Sequence, residues 1–479
     1  MGAARRHRRW WIAGLFAASA SISVACWVAD RSAPGLSVLL ITVDTLRADR
    51  LSLMGNPRKT SPSIDAWASD GVVFDLAYAP RGQTWSSLTS LLTGKYPIAH
   101  GVRTNGDQLR AEHRTLPEWL QAEGFATGAF LTNMGEAPNR GFDEKAFFRD
   151  PSRPQFEWDR EAVLRTIGFL AQHRGERFFA WVHLMDPHEP YLPPPPYDAW
   201  VGDYAGPYTG RSDQLDQVAL DPSVPFDARD KAAILALYDG QIGSTDAQVA
   251  RLLGALTKLG LDGETLVILT ADHGEELLDH NRYAFHSASI YDAVLRVPLV
   301  FELPGRIGGG RRIAAAVELI DVLPTVFELL SLPVPPGIQG ESLVPLLDGT
   351  RAERHKREAY FEWSPPGRQR RPGVADRVFG VRQGKWKLVS NPGGLRPWNR
   401  PYPQVPGSGF SLARIELYDL EADPHETRNL AAAEPEIVNR LTSTLEKWLA
   451  EALANEGASD APSPEALQQL RQLGYIEGP

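Results

Sequence analysis

The sequence predicts an α/β fold with a largely parallel sheet. Three apolar, β-branched runs have the pattern of strands buried on both faces: residues 37–43, 178–182 and 265–270. Each run is followed at once by acidic or imidazole residues, which is typical of a ligand site at the carboxyl edge of an open α/β sheet. Apolar residues at spacings of three and four predict crossover helices over residues 86–92, 116–122, 160–172 and 232–259.

A change of pattern near residue 350 predicts a second, smaller unit. Residues 378–382 and 385–389 flank Gln383-Gly384 and have the pattern of a β-hairpin with a tight turn. Residues 415–420 add a further strand, and residues 434–453 add a closing helix. We therefore expect a catalytic domain over residues 36–345 and a C-terminal α+β subdomain over residues 346–479.

The composition restricts the class of protein. The chain has 479 residues, of which 43% are hydrophobic and 13 are tryptophan, and this is the composition of a globular protein rather than a disordered one. The single cysteine excludes a disulfide scaffold, because one thiol cannot close an intramolecular bridge. The net charge of −9 argues against a nucleic-acid partner, since a surface with surplus carboxylates repels phosphates.

The first 30 residues carry the features of an export signal. Arginines at positions 5, 6, 8 and 9 precede an uncharged stretch over residues 10–28, which is about the length that crosses a bilayer core. The arginines predict that the N-terminus stays cytoplasmic and that the rest of the chain is exported to the periplasmic or extracellular side. Residues 1–30 then act as a retained signal anchor, in contact with the membrane through residues 10–28, or as a cleaved signal peptide. A lipid anchor on Cys26 is a third option.

Polar residues that follow the apolar runs predict a metal site. Asp44 follows the first run, and Asp272 and His273 follow the run over residues 265–270. Carboxylates and imidazoles are ligands of Ca²⁺, Mg²⁺, Mn²⁺ and Zn²⁺, whereas the alternative reading makes these residues caps of the helices that come next. His188 and His286 are further imidazoles that either reach the same cleft or serve as structural residues. The sequence therefore predicts a divalent metal ion.

Several short motifs occur in order along the chain. They are residues 39–49 (LLITVDTLRAD), 91–97 (LLTGKYP) with 100–101 (HG), 186–191 (DPHEPY), 271–275 (ADHGE), 295–299 (LRVPL), 320–325 (IDVLPT) and 417–424 (LYDLEADP). Together they resemble the sulfatase family, within the alkaline phosphatase superfamily, over about residues 36–432. The resemblance implies an alkaline-phosphatase-like fold, in which a mostly parallel sheet lies between helices, and metal-dependent cleavage of an ester.

The sequence departs from this family at the nucleophile. The family places a Cys or Ser ten residues before the Gly of Leu-Leu-Thr-Gly and converts it to formylglycine. Counting back ten residues from Gly94 reaches Thr84, and the Pro and Arg of the family motif are absent as well. Cys26 cannot substitute, because it lies in the export segment. The resemblance therefore implies no formylglycine, with Thr84 as the nucleophile and as a fourth metal ligand beside the three residues above.

The rest of the family's pocket is matched in part. His188 matches the histidine that contacts the ester group, and His286 stands close to the position of a cationic lysine, so both are expected to be catalytic. Asn133 follows the place where the family has a cationic element, and it is expected to bind the substrate together with Lys95. A loop-capping role is the alternative for Asn133, and a structural salt bridge is the alternative for Lys95. Asp186, His188 and His286 could alternatively hold a second metal ion.

These residues predict a metal-dependent hydrolase or transferase. A threonine hydroxyl can attack phosphorus and form phosphothreonine, but it lacks the second hydroxyl with which a geminal diol expels sulfate. We expect a small-molecule, glycan or lipid ester as the substrate, and phosphate-type esters are favoured. Two alternatives stay open. One is a sulfuric ester hydrolase that uses unmodified Thr84, and the other is an inactive family member that binds an anion or a glycan.

Overall fold

The computed structural model describes residues 35–132, 139–221, 223–280, 284–287, 289–350, 358–364, 374–395 and 413–457. The predicted export segment and Asn133 lie outside these residues. No helix among the described residues is long and apolar enough to cross a bilayer. The strands of this part of the chain are β1 (Ser37–Val43), β2 (Val72–Tyr78), β3 (Ala126–Leu131), β4 (Glu144–Phe147), β5 (Phe178–Leu184), β6 (Thr265–Ala271), β7 (Glu276–Leu277), β8 (Ala284–Phe285), β9 (Arg296–Glu302), β10 (Arg311–Glu318), β11 (Glu358–Trp363), β12 (Val378–Gln383), β13 (Trp386–Ser390) and β14 (Ile415–Asp419).

An eight-stranded sheet with the order β10-β2-β9-β6-β1-β5-β3-β4 forms the main layer. All of its strands run in one direction except β9, which is antiparallel to both neighbours, β2 and β6. The central strand β1 pairs in parallel with β5 on one side and with β6 on the other. Every residue of these three strands is buried, which explains why their sequences are continuous apolar runs. The predicted mostly parallel α/β fold is confirmed.

Helices flank this sheet. They are α1 (Pro62–Ala68), α2 (Thr84–Thr93), α3 (Pro97–His100), α4 (Leu116–Ala122), α5 (Gln155–Gln172), α6 (Ser212–Leu220), α7 (Ala228–Lys258), α8 (Asp292–Leu295), α9 (Val322–Leu329), α10 (Val344–Leu347) and α11 (Pro435–Ala454). Short 3-10 helices occur at Ala48–Arg50, Ser52–Met54, Tyr197–Val201, Asp262–Glu264, Leu319–Asp321 and Val374–Asp376. Helices α5 and α7 pack on each other, and α5 also packs on β3 and β5.

The four helices predicted from periodicity are present, but α2, α5 and α7 begin earlier than predicted, at residues 84, 155 and 228 instead of 86, 160 and 232. The start of α7 is set by a capping box, in which the Asp227 side chain accepts hydrogen bonds from Arg229 N and Asp230 N. The first turn of such a helix is polar, so apolar periodicity begins only after it. Helix α4 begins at a capping box of Thr115 and Glu118 and has the predicted bounds.

A four-stranded antiparallel sheet, β11-β12-β13-β14, forms the C-terminal part of the described structure. Gln383 pairs with Trp386, so the tight turn of the hairpin consists of Gly384 and Lys385. The turn predicted at Gln383-Gly384 is therefore wrong by one residue. Gly384 has a φ of 59°, a left-handed conformation that glycine adopts without steric cost. Helix α11 packs on β12 and β13.

The two sheets meet next to the loop that precedes α2. The ring of Tyr78 in β2 lies 5.3 Å from the ring of Phe361 in β11, within a shared apolar cluster. Glu362 N donates a hydrogen bond of 3.0 Å to Pro80 O. These contacts fix the carboxyl end of β11 beside the amino end of α2. The domain bounds proposed above, 36–345 and 346–479, stay predictions.

Candidate active site

The sheet brings the predicted metal ligands together at the carboxyl ends of its central strands. Val43 of β1 is paired with Ala271 of β6, so Asp44 and Asp272 leave the sheet side by side. One ligand atom each of Asp44, Asp272 and His273 lies within 4.8 Å of the others. All three side chains are fully buried. The three residues predicted as metal ligands come from two distant parts of the chain and form one compact donor set.

Backbone groups orient the Asp272 carboxylate. Its Oδ1 atom accepts hydrogen bonds from Thr45 N at 3.1 Å and from His273 N at 2.8 Å. Thr45 has a φ of 54°, a strained conformation for a β-branched residue. This geometry leaves Oδ2 of Asp272 buried without a hydrogen bond from any described residue, at 3.2 Å from His273 Nε2. A buried carboxylate oxygen of this kind has the chemistry of a metal ligand.

Thr84 lies at the edge of this donor set. It is the first residue of α2, and its Oγ1 is 3.4 Å from His273 Nε2. The other ring nitrogen of His273, Nδ1, is 2.9 Å from Gly274 O and is therefore assigned as the protonated one. Nε2 then presents its lone pair to the site. The amino end of α2 adds the partial positive charge of a helix terminus, which favours an anion beside Thr84.

Burial and neighbouring charges shift the pKa values of all three residues of the donor set. Burial opposes ionisation of Asp44, but the charge of His188 and the hydrogen bond from His183 outweigh it and hold the pKa of Asp44 well below its ordinary range. Burial, reinforced by Asp44, raises the pKa of Asp272 to about 7. Burial lowers the pKa of His273 to about 4 against the opposing charge of Asp272. A divalent cation would stabilise both carboxylates and the neutral imidazole, so these residues fit a metal ion.

Both predicted catalytic histidines reach this cleft. The His286 ring stacks on the His273 ring at 4.4 Å and meets the His188 ring at 5.3 Å. The Nδ1 atom of His188 donates to Glu189 O, and that of His286 lies 3.0 Å from a carboxylate oxygen of Glu275. The Nε2 atoms of both histidines are buried and have no hydrogen-bond partner among the described residues.

The surroundings of His188 and His286 shift their pKa values in opposite directions. Burial opposes protonation of His188, but the charges of Asp44 and Glu275 prevail and raise its pKa. Burial and the charge of His188 lower the pKa of His286 to about 4. One imidazole is thus favoured in its charged form and the other in its neutral form, as an acid and base pair requires.

Sequence reasoning missed His183. It lies in β5 beside Thr42 of β1, and its Nε2 is 3.4 Å from Asp44 Oδ2. Its Nδ1 is 2.8 Å from Thr42 Oγ1, and that hydroxyl accepts a hydrogen bond of 2.9 Å from Trp181 Nε1. The sequence offers one signal for it, because His183 is the penultimate residue of a buried strand and lies three residues before Asp186. Its side chain supports Asp44 from outside the donor set.

Other predicted residues are not brought to the donor set. Lys95 lies beyond the opposite end of α2 from Thr84, about 15 Å along the helix, and its ammonium contacts His113. Asp186 Oδ1 accepts from Gln241 Nε2, and Asp186 belongs to no described group of converging metal ligands. The alternative second-metal set thus does not converge among the described residues. Asn133 cannot be placed.

The sheet and its site have the architecture of the alkaline phosphatase superfamily. Residues 37–332 match the family model described as Sulfatase, which covers more than half of the chain, so the protein belongs to the sulfatase family. Residues 281–399 match the model described as N-sulphoglucosamine sulphohydrolase, C-terminal.

Two relatives illustrate the likeness in sequence. An ulvan-active sulfatase of Formosa agariphila is 25% identical, over 87% of this chain and 81% of its own length. Arylsulfatase K of Rattus norvegicus is 24% identical, over 85% of this chain and 77% of its own.

Solved structures share the fold. A protein in complex with its substrate D-glucosamine-2-N,6-O-disulfate superposes with a TM-score of 0.70 at 20% identity, over 88% of this chain and 99% of its own. The phosphonate monoester hydrolase of Silicibacter pomeroyi gives a TM-score of 0.69 at 20% identity, over 89% of this chain and 99% of its own. The chain is thus a sulfatase-family hydrolase, within a fold shared by sulfate and phosphonate ester hydrolases.

Proposed function

We propose that this protein is a metal-dependent ester hydrolase in which unmodified Thr84 is the nucleophile. The observation that carries this proposal is the position of Thr84 Oγ1, 3.4 Å from His273 Nε2 and at the amino end of α2. A hydroxyl at this place can share a metal ion with Asp44, Asp272 and His273 and face an incoming anion. The nearby hydroxyls of Ser86 and Ser87 donate hydrogen bonds to the backbone carbonyls of Val102 and Asp272 instead.

The donor set suits one divalent metal ion. Two carboxylates and an imidazole with buried, converging ligand atoms are the groups that such an ion prefers. A metal ion held there would lower the pKa of the Thr84 hydroxyl and neutralise charge on an ester oxygen. His183 would keep Asp44 in place, and the Thr45 peptide would keep Asp272 in place.

The residues of the site account for both halves of the reaction. Thr84 Oγ1 gives its proton to solvent and forms a bond to phosphorus while the bond to the alcohol oxygen breaks. His188 donates a proton through Nε2 to that leaving oxygen. Water then attacks the phosphothreonine and gives a proton to an imidazole of the pair, which releases phosphate and restores the threonine hydroxyl with a proton from solvent.

Phosphate-type esters are the proposed preference. The formylglycine sulfatases expel sulfate by re-forming an aldehyde, and a threonine with one hydroxyl has no such route. The structural likeness to phosphonate monoester hydrolases is consistent with this preference. A sulfuric ester hydrolase that uses Thr84 is the second candidate, and it is favoured by the sulfatase relatives.

We further propose a glycan ester as the physiological substrate, outside the cytoplasm. This proposal is supported by the names of the relatives, which act on ulvan and on N-acetylglucosamine sulfates. The features of residues 1–30 support export of the chain.

Kinetic assays of the full chain test this function. We expect the protein loaded with Mn²⁺ or Zn²⁺ to cleave bis(4-nitrophenyl) phosphate or 4-nitrophenyl phenylphosphonate faster than 4-nitrophenyl sulfate. Thr84→Ala should abolish turnover, whereas Thr84→Ser should keep part of it. Thr89→Ala is the matched control, because Thr89 lies in the same helix and is equally buried.

Intact mass spectrometry after brief incubation with the substrate should detect an adduct on Thr84 that is absent from Thr84→Ala. Faster turnover of the aryl sulfate would contradict the preference for phosphorus. Residual activity of Thr84→Ala equal to that of the control variant would contradict the assignment of the nucleophile.

A further inference from the structure

One face of helix α7 carries three buried polar side chains whose partners lie in the turns around the active site. Tyr238, Gln241 and Thr245 are 0%, 1% and 1% exposed. Their spacings of three and four residues place them on the same face of the helix. Polar side chains are costly to bury unless they form hydrogen bonds, so the partners of these three residues indicate their role.

Tyr238 holds the turn that carries Asp44. Its hydroxyl donates a hydrogen bond of 2.7 Å to Thr45 O and accepts one of 3.0 Å from Arg47 N. The direction of both bonds is fixed, because a backbone carbonyl only accepts and a backbone N–H only donates. Thr45 has the strained φ of 54°, and its own N–H orients the Asp272 carboxylate. A strained residue keeps its conformation only where its surroundings fix it, so Tyr238 stabilises the geometry of the metal ligands.

Gln241 holds the turn that carries His188. Its Nε2 atom donates to Asp186 Oδ1 at 2.8 Å and to Pro190 O at 3.1 Å, and these partners lie on the two sides of His188 in the sequence. Thr245 Oγ1, one helical turn further along α7, donates a hydrogen bond of 2.9 Å to Asp186 O. The turn is thus attached to α7 both before and after His188, which restricts the direction of its imidazole.

Helix α5 supports the same turn. Asp159 accepts hydrogen bonds of 2.6 and 3.1 Å from the backbone N–H groups of residues 185 and 186. Gln155 Nε2 donates to Glu189 O at 2.9 Å, and Gln155 Oε1 accepts from Gln241 Nε2 at 3.2 Å. Since α5 and α7 pack on each other, the turn is held by both helices. Gln241 joins this network to the helix that carries Tyr238.

We propose that Tyr238 and Gln241 are positioning residues that hold the two halves of the site at a fixed distance. Tyr238 sets the Asp44 turn for metal binding, and Gln241 sets the His188 turn for proton donation to the leaving oxygen. The two residues are about 4.5 Å apart along α7, so a single helix sets the spacing between metal ligands and proton donor. The role of Gln241 rests on the proposed function, because that function makes His188 the acid.

Tyr238→Phe tests the first half of the proposal. The ring is kept and only the hydroxyl is lost, so Thr45 O and Arg47 N both lose a partner. We expect the affinity for Mn²⁺, measured by competition with a chelator, to fall about 10- to 100-fold. Activity should return at high Mn²⁺ concentration, because the metal ligands themselves are unchanged. The affinity measurement does not depend on turnover.

Gln241→Met tests the second half. Methionine has nearly the length of glutamine but no donor, so the hydrogen bonds to Asp186 and Pro190 are lost. The substrates are 4-nitrophenyl phenylphosphonate and methyl phenylphosphonate, which differ only in the leaving group. We expect kcat to fall about tenfold or more for the methyl ester and little for the nitrophenyl ester, because nitrophenolate leaves without a proton. The affinity for Mn²⁺ should stay that of wild type, and added Mn²⁺ should not restore kcat.

Asp246→Asn is the matched control. Asp246 lies on the same helix and is also buried, but it accepts hydrogen bonds from Ser63 N and Ile64 N at the start of α1. The control should change neither the Mn²⁺ affinity nor the ratio of the two kcat values. Thermal unfolding shows whether each variant is folded. For a variant that is unfolded without metal, the dependence of its unfolding on Mn²⁺ gives the affinity instead.

Thr245→Val is a milder variant for the second half. It removes only the hydrogen bond to Asp186 O, so it should change the ratio of the two kcat values in the same direction by a smaller factor. It replaces Gln241→Met if that variant does not fold.

The proposal is overturned if Tyr238→Phe binds Mn²⁺ as wild type does, or if folded Gln241→Met loses the same factor of kcat on both esters. It is also overturned if Asp246→Asn reproduces either effect. Absence of turnover by wild type, with Mn²⁺ affinity lowered in Tyr238→Phe, would refute the Thr84 reaction and keep the role of Tyr238. In that case a His188 ring that keeps its place in a crystal structure of Gln241→Met overturns the role of Gln241.

Discussion

Replacing Thr42 with valine should weaken both the fold and the metal site. The indole N–H of Trp181 can only donate, so Thr42 Oγ1 accepts its hydrogen bond at 2.9 Å. The Thr42 hydroxyl proton then points to His183 Nδ1 at 2.8 Å, which is closer than Val182 O at 3.4 Å. His183 therefore carries its own proton on Nε2 and directs it to Asp44 Oδ2. One hydroxyl thus orders a chain of donors that ends on a metal ligand.

The expected loss of stability is set by the two polar atoms that lose their hydrogen bond to the Thr42 hydroxyl. Thr42→Val leaves Trp181 Nε1 and His183 Nδ1 without a partner in a fully buried place, at about 1–3 kcal/mol each. The added methyl group offsets part of this loss, so we expect the free energy of unfolding to fall by about 2–4 kcal/mol. Metal affinity should fall about 10- to 100-fold, as is usual when the support of a ligand is lost.

The assays are guanidinium denaturation and titration of the metal against a competing chelator. Thr42→Ser is the control, because it keeps the hydroxyl, and the loss of one buried methyl group should cost only about 0.5–1.5 kcal/mol. Equal stability of the valine and serine variants, together with equal metal affinity, would refute this reasoning.

Three other substitutions test separate parts of the structure. Asp272→Asn should remove the bound metal, as measured by elemental analysis, and unchanged stoichiometry would contradict the ligand assignment. Glu275→Ala removes a charge that raises the pKa of His188, so it should weaken this acid and lower kcat about tenfold or more for alkyl esters but little for nitrophenyl esters, whose leaving groups need no proton. An equal loss on both esters would argue for a merely structural role.

Burial raises the pKa of Glu302 from its ordinary 4.5 to about 7, so its contribution to stability is present below pH 4.5 and is lost as the pH rises through 7. Glu302→Gln should therefore raise the free energy of unfolding at pH 8 by about 1 kcal/mol relative to its effect at pH 4, measured by denaturation at each pH. The same effect at both pH values would contradict the shifted pKa.

The sequence by itself determined the central strands and the metal donor set. Strands β1, β5 and β6 are buried on both faces, so their burial appears directly as continuous apolar runs. Asp44, Asp272 and His273 follow the ends of such strands, and parallel strands end at a common edge. The apolar runs and the polar residues that follow them are both visible in short stretches of sequence. That parallel strands end at a common edge is enough to predict that these polar residues meet.

Tertiary structure alone decided which other side chains meet this site. His183 supports Asp44 because β5 lies next to β1, and the order of strands in a sheet is not a local property of any of them. Lys95 is separated from the site because α2 places it at the far end from Thr84. Arg81, Arg103 and Arg377 come together from three distant segments, through ion pairs with Glu362 and Glu456. Packing between remote segments is decided by the energy of the whole fold, and short-range patterns do not carry that information.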